Sequence, residues 1–231
     1  MERCPAPLEI CMVGVNHVEK KIIIFHPDCK KWSCPYCSVE NANEWIHQGI
    51  RGSLLLTTQG EELRMMTITS RASITPNKSL YFFSQNWPRL NQRMKYYGEK
   101  LGRAKPEYFL VPERHKSGVL HFHMLTTSPL KERWYKDNAP SVGFGYMAKA
   151  EPLRDALLAA TYVSKYLMKS IDFAGWPKGF RRVRVSRGWP MSKPEKKPGW
   201  EWSSHSEKSA WFEKYLYNDA GYHILDKREQ G

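Results

Sequence analysis

Two histidines, His121 and His123, stand one residue apart in the otherwise apolar run "GVLHFHML". On an extended strand, side chains at i and i+2 share a face. Both imidazoles therefore project together, while Phe122 and Met124 project from the other side. Paired neutral imidazoles suit a divalent cation and leave coordination positions that an anionic oxygen can fill. Glu113 lies upstream across a predicted hairpin, and antiparallel pairing brings it near His121. Glu113, His121 and His123 thus form an open three-ligand site, with His115 a competitor placed in the turn. The structural alternative is two hydrogen-bonded histidines in a sheet.

A second constellation is "TYVSKYLMKS". Tyr162 and Tyr166 are four residues apart and so share one helical face. Each is followed three residues later by a lysine, Lys165 and Lys169. A nearby ammonium favours phenolate over phenol, which helps a tyrosine act as a nucleophile; the lysines can instead position a phosphate. The plainer alternative is two amphipathic tyrosines with wet hydroxyls. Taken together, a divalent metal beside a tyrosine can polarise a scissile phosphate and yield a phosphotyrosine. That bond conserves the energy of the phosphodiester, so strand transfer needs no nucleotide cofactor, and the chain carries no G-x-x-x-x-G-K-[ST].

Cys29, Cys34 and Cys37 in "CKKWSCPYC" have a spacing that suits structural Zn2+, which wants four ligands. Cys11 is taken as the fourth, with His26 and Cys4 as rivals. In "KGFRRVRVSRGW", alternation puts Arg182 and Arg184 on one strand face and Arg181, Val183 and Val185 on the other. With Arg187 these arginines are candidates for tracking DNA phosphates; a solvated edge strand is the alternative.

These residues need elements to position them. Strands are expected in "EICMVGVN", "KIIIFH", "ELRMMTITSR", the hairpin "EYFLVPERHKSGVLHFHMLTT" and "VGFGYMAKA". Helices are expected in "SVENANEWIHQGI", in "SLYFFSQNWPRLNQRMKYYGEKLG" with an interruption at Pro88, and in "LKERWYKDN". A further helix should open at Pro152 and carry the tyrosines. A last one should start at a capping box from Ser204 to Glu207 and end near Asn218. Between Lys178 and Lys197 a short basic strand gives way to a linker.

The fold class is α+β: a central antiparallel sheet with flanking helices, plus a small N-terminal zinc-binding module. The expected boundaries are 1–50 for that module, 51–200 for the catalytic domain and 201–231 for a C-terminal helical extension. Lys and Arg outnumber Asp and Glu by 36 to 23, giving +13, and a pI near 9.5. Such an excess points to a polyanionic partner. The 12 tyrosines and 9 tryptophans favour one with unpaired bases. No apolar run approaches the roughly 20 residues of a membrane span, and "MERCPAPLEI" has no signal-peptide core, so a cytoplasmic location is expected.

The order "TITS", E-x7-H-F-H, then "YVSKY", between Met65 and Ser170, resembles the HUH endonucleases. The doubled tyrosine is similar to that of rolling-circle replication initiators of small single-stranded DNA phages and related elements. The resemblance implies an RRM-like antiparallel sheet with His121 and His123 on a central strand and the tyrosine helix facing them. It implies a nick dependent on Mg2+ or Mn2+ in single-stranded DNA or an origin hairpin, leaving a 5′-phosphotyrosine and a free 3′-hydroxyl for a host polymerase. Tyr162 and Tyr166 would alternate as nucleophiles, Glu113 would be the third metal ligand, and unwinding would fall to a host helicase. A transposase using the same chemistry is one alternative; a non-catalytic, zinc-containing nucleic-acid-binding regulator is another.

Overall fold

The computed structural model describes residues 4–5, 7–71, 74–153, 156–169, 171, 176–177, 179–192 and 198–225. In chain order its elements are β1 (Cys11–Asn16), β2 (Lys21–Phe25), α1 (Pro35–Thr58), β3 (Arg64–Ser70), α2 (Pro76–Lys100), β4 (Tyr108–Arg114) and β5 (Leu120–Thr126). There follow α3 (Glu132–Asn138), β6 (Phe144–Pro152), α4 (Ala156–Lys169), β7 (Arg184–Val185), β8 (Trp200–His205), α5 (Glu207–Asp219) and β9 (His223–Leu225). They divide into two compact units, Asn41–Ser192 and a second made of Met1–Glu40 with Lys193–Gly231.

In the larger unit β3-α2-β4-β5-α3-β6 builds an antiparallel sheet ordered β6-β3-β5-β4-β7. This is the split βαβ arrangement, with the first and third strands of the repeat central. Strand alternation divides the side chains between two faces. Met66, Ile68, Leu110, Phe122 and Met124 point into a core closed by Phe83, Trp87, Leu90 and Met94 of α2. Those α2 residues recur at i, i+4, i+7 and i+11, an apolar stripe that folds the helix onto the sheet. The helix runs through Pro88, which is exposed. Packing of the stripe offsets the backbone hydrogen bond that Pro88 cannot make. On the other face Met65, Phe109, Val111 and Leu125 pack with Leu56, Leu167, Val183 and Trp189, and this face carries the histidines.

The β4–β5 hairpin turns through "HKSG". His115 donates its N–H to the Val119 carbonyl at 2.9 Å. Gly118 adopts φ +79, a left-handed conformation that favours glycine.

The smaller unit is a four-stranded sheet ordered β8-β1-β2-β9. β8 pairs with β1 from Cys11↔His205 to Asn16↔Trp200, so the two terminal segments share one sheet. This pairing differs from a separate N-terminal module and C-terminal extension. "WEWSSH" follows a Pro- and Lys-rich stretch, and that context masks its strand character. Residues 193–197 of the expected linker lie outside the described residues, as do Lys178 and Ser170. Two helix starts also differ. Pro152 ends β6 and does not open α4. α5 is capped by Ser206, whose side chain accepts from the Ser209 N–H, because Ser204 is in β8. Among the described residues no helix is long and apolar enough to cross a membrane.

Candidate active site and metal centre

Four cysteines, Cys4, Cys29, Cys34 and Cys37, are buried with their sulfur atoms all within 4.8 Å of one another. Cys4 and Cys34 sulfurs are 3.9 Å apart, and those of Cys29 and Cys37 are 3.5 Å apart. A tetrahedral ion with Zn–S bonds of roughly 2.3 Å requires S···S edges of about 3.8 Å. The cluster could therefore hold a metal such as zinc. Without a cation, burial and the neighbouring thiols push Cys37 up to about 12, so a bound cation is what would favour thiolates here.

The fourth ligand is Cys4, not Cys11. Leu8 donates its N–H to the Pro27 carbonyl at 2.8 Å, which folds the N-terminal segment back along the approach to Cys29. Cys11 instead begins β1 and packs with Val13, Val15 and Ile22. Its sulfur lies 3.5 Å from His26 Nε2. The alternation Cys11, Val13, Val15 is the sequence signal that assigns Cys11 to a core face.

On the larger sheet, β5 sits between β3 and β4, so the histidines have a strand on each side. Thr67 pairs with His123 and Glu113 with His121. The Glu113 carboxylate nevertheless reaches diagonally. Its Oε2 lies 2.8 Å from His123 Nε2, and its Oε1 accepts from Lys169 Nζ at 2.9 Å. Thr67 Oγ1 lies 3.0 Å from His123 Nδ1. Both imidazole nitrogens are thus satisfied, and Thr67 and Glu113 together fix the ring plane. His121 stacks on His115, with ring centroids 4.8 Å apart.

α4 lays its tyrosines over this face. The Tyr166 ring stacks on His123 with centroids 3.4 Å apart and planes 10° from parallel. Tyr162 stacks alongside Tyr166 at 6.0 Å. Lys165 and Lys169 ammonium groups each lie 5.8 Å from the Tyr166 ring centroid. Burial depresses His123 to about 4, against the pull of Glu113. Burial also lowers His121, helped by His115. Burial alone would raise Glu113, yet hydrogen bonds from Lys169 and His123 hold it below the ordinary carboxylate range. Tyr166 is raised, first by burial and then by Glu113 and Tyr162; Lys169 opposes this without reversing it. The nearby lysine therefore leaves the phenol protonated in this arrangement, because its charge is engaged by Glu113.

An oxygen donor and two imidazoles on one sheet face form a donor set of the kind a divalent ion takes. Among the described residues, however, the four cysteines are the group that brings three or more metal-capable atoms together. Glu113 is shared between His123 and Lys169, and His121 faces His115, so the three candidate donors share a face without converging.

Residues 63–171 match a family model of replication-associated proteins, the ORF2 type. The match spans β3 through α4 and supports a replication-initiator family, and with it an interaction with nucleic acid. It contains Thr67, Glu113, His121, His123, Tyr162 and Tyr166, while the cysteine cluster lies outside it. No curated protein and no solved structure matches the chain.

The candidate DNA-contacting arginines separate by position. Arg181 and Arg187 are exposed. Arg182 is buried with its guanidinium 5.4 Å from the Trp176 ring centroid. Arg184 sits 5.0 Å from the Phe83 ring centroid and donates to Ser84 Oγ at 3.2 Å. Its strand partner Leu110 points away from the histidines, so Arg184 serves the opposite core. Thr67 is the site residue that motif reading leaves unassigned. The signal for it is the alternation in "TITS", which places Thr67 and Thr69 on the face of β3 opposite Ile68.

Proposed function

We propose that the chain nicks and joins single-stranded DNA through a tyrosine nucleophile to initiate rolling-circle replication. The carrying observation is the Tyr166 ring stacked on His123, with Tyr162 alongside and Glu113, Lys169 and Thr67 around the imidazole. A nucleophile pair thus sits directly over the candidate ligand strand.

In this reading the phenolic oxygen attacks a phosphorus, the P–O3′ bond breaks, and the 3′ oxygen leaves as a hydroxyl. The leaving oxygen takes a proton from water and the phenol proton passes to solvent, so atoms and charge balance. Joining reverses this, with a 3′-hydroxyl attacking the phosphotyrosine. Two tyrosines allow one to hold a 5′ end while the other cuts again. Mg2+ or Mn2+ held by Glu113, His121 and His123 would supply Lewis-acid polarisation of the scissile phosphate. Lys169 then exchanges its Glu113 partner for the phosphate, and Lys165, exposed beside Tyr166, adds positive charge.

Incubation with single-stranded origin DNA and Mn2+ or Mg2+ should give a denaturant-resistant protein–DNA adduct, which peptide mapping assigns to Tyr162 or Tyr166. An adduct that persists in the Tyr162→Phe, Tyr166→Phe double variant would overturn the mechanism. Absence of any adduct, with metal content unchanged by His121→Ala, would favour a non-catalytic regulator.

A further inference from the structure

We propose that a groove on α2 binds one nucleotide unit of single-stranded DNA, phosphate on Arg89 and Arg93 and base on Tyr96, away from the tyrosines. The groove encloses about 480 Å3 and is lined by Arg89, Gln92, Arg93, Tyr96, Ser141 and Val142. That volume falls within the roughly 300–1,000 Å3 typical of sites for small ligands.

The lining holds two cations and no carboxylate. Among the described residues neither Arg89 nor Arg93 forms an ion pair with an acid. Arg93 is held by the Ser141 hydroxyl, which in turn donates to the Asn138 carbonyl at 2.7 Å. One guanidinium is thus oriented before any ligand arrives, which reduces the cost of ordering it. A planar guanidinium matches phosphate oxygens in a bidentate manner.

Tyr96 supplies the second half of a nucleotide site. Its ring is 52% exposed, stands edge-on to Tyr97 at 5.5 Å and has the Lys100 ammonium 4.5 Å from its centroid. An exposed ring with a cation beside it provides a surface on which a base can stack without sequence preference. Arg89, Arg93, Tyr96 and Lys100 recur at i, i+4, i+7 and i+11, hence on one face of α2 over about 16 Å. The apolar stripe of the same helix faces the core on the side of the sheet opposite the histidines. The groove and the tyrosines therefore lie on opposite sides of the sheet, and a strand held in one is not being cut there.

This inference rests on the reading of single-stranded DNA as the partner, but not on nicking. The test is fluorescence anisotropy with a labelled oligothymidylate, without added divalent ion. The Arg89→Ala, Arg93→Ala double variant should lose about tenfold in affinity. Its salt dependence should be shallower by about 1.4 in log–log slope, the loss of two single-strand phosphate contacts. Tyr96→Ala should weaken binding about tenfold, and the Tyr162→Phe, Tyr166→Phe variant should bind as the wild type does. Arg89→Lys, Arg93→Lys should restore the slope, which distinguishes lost phosphate contacts from unfolding. Unchanged affinity and slope in the alanine variants would overturn the groove. Saturation of the groove by thymidine monophosphate, with oligothymidylate affinity unaltered in the variants, would overturn the strand as its ligand. Failure of the wild type to bind oligothymidylate would overturn both groove and partner, whereas binding without a covalent adduct would sink only the nicking reaction.

Discussion

His123 is the residue on which the candidate site turns. It is buried, bonded through both nitrogens and covered by Tyr166, so its neutral form is strongly favoured and it titrates near pH 4. An unfolded histidine titrates near 6.5. Between those values the unfolded chain binds a proton that the folded chain refuses, so stability falls as pH drops through this window. The loss should reach about 3 kcal/mol, and Glu113, held low, adds a loss in the same direction as pH falls further. Denaturant midpoints from pH 7.5 to 4.5 should show a steeper decline in the wild type than in His123→Gln; parallel curves would refute the assignment. Thr67 belongs to the same argument, since a hydrogen bond at Nδ1 fixes the ring and leaves Nε2 for a ligand. Thr67→Val should weaken Mn2+ binding, measured calorimetrically, by roughly 10- to 100-fold, while Thr69→Val should leave it within twofold.

At the scale of elements, the cysteine cluster makes the sharpest distinction. Cys4→Ser should lower bound zinc per chain and leave a loosened knuckle that proteases cut, because three thiols and a hydroxyl make a poorer site. Cys11→Ser should keep its zinc and lose stability only through the β1 core. Metal analysis of both variants decides between them, and zinc retained in Cys4→Ser but lost in Cys11→Ser would reverse the assignment. Here the sequence was a partial guide. Strong alternation made β3, the β4–β5 hairpin and β6 legible, and the i, i+4, i+7 stripe made α2 legible even across Pro88. Less legible was anything set by pairing between distant segments. β8 has little hydrophobic run of its own and becomes a strand by pairing with β1. The same pairing draws Ser204 into the sheet and moves the helix cap to Ser206. In the site, strand periodicity put Glu113, His121 and His123 on one face. It could not say that the carboxylate would choose Lys169 and His123, since side-chain partners depend on how α4 lies across the sheet.

Across the whole molecule, charge is segregated. Asn41–Ser192 carries 24 of the 36 Lys and Arg and 11 of the 23 Asp and Glu, so the entire +13 excess lies there. The terminal unit is balanced, with 12 of each. A polyanion should therefore be held by the larger unit, where the candidate nucleophiles also lie, while the terminal unit contributes its cysteine cluster without net attraction. Not every arginine of the larger unit takes part. Arg182 and Arg184 stack against Trp176 and Phe83, which spends their guanidinium faces on packing; Arg181 and Arg187 remain exposed. Substituting Arg181 and Arg187 by Gln should therefore reduce the log–log salt slope of single-stranded DNA binding by about 1.4, about 0.7 per phosphate released, with little change in melting temperature. Arg184→Gln should do the reverse, lowering the melting temperature by several degrees for a loss of about 1 kcal/mol while leaving the slope in place. Lys20→Gln with Lys208→Gln, in the balanced unit, should alter neither. A slope that falls as much for the Lys pair as for the Arg pair would show that the terminal unit also tracks the phosphates, in spite of its zero net charge.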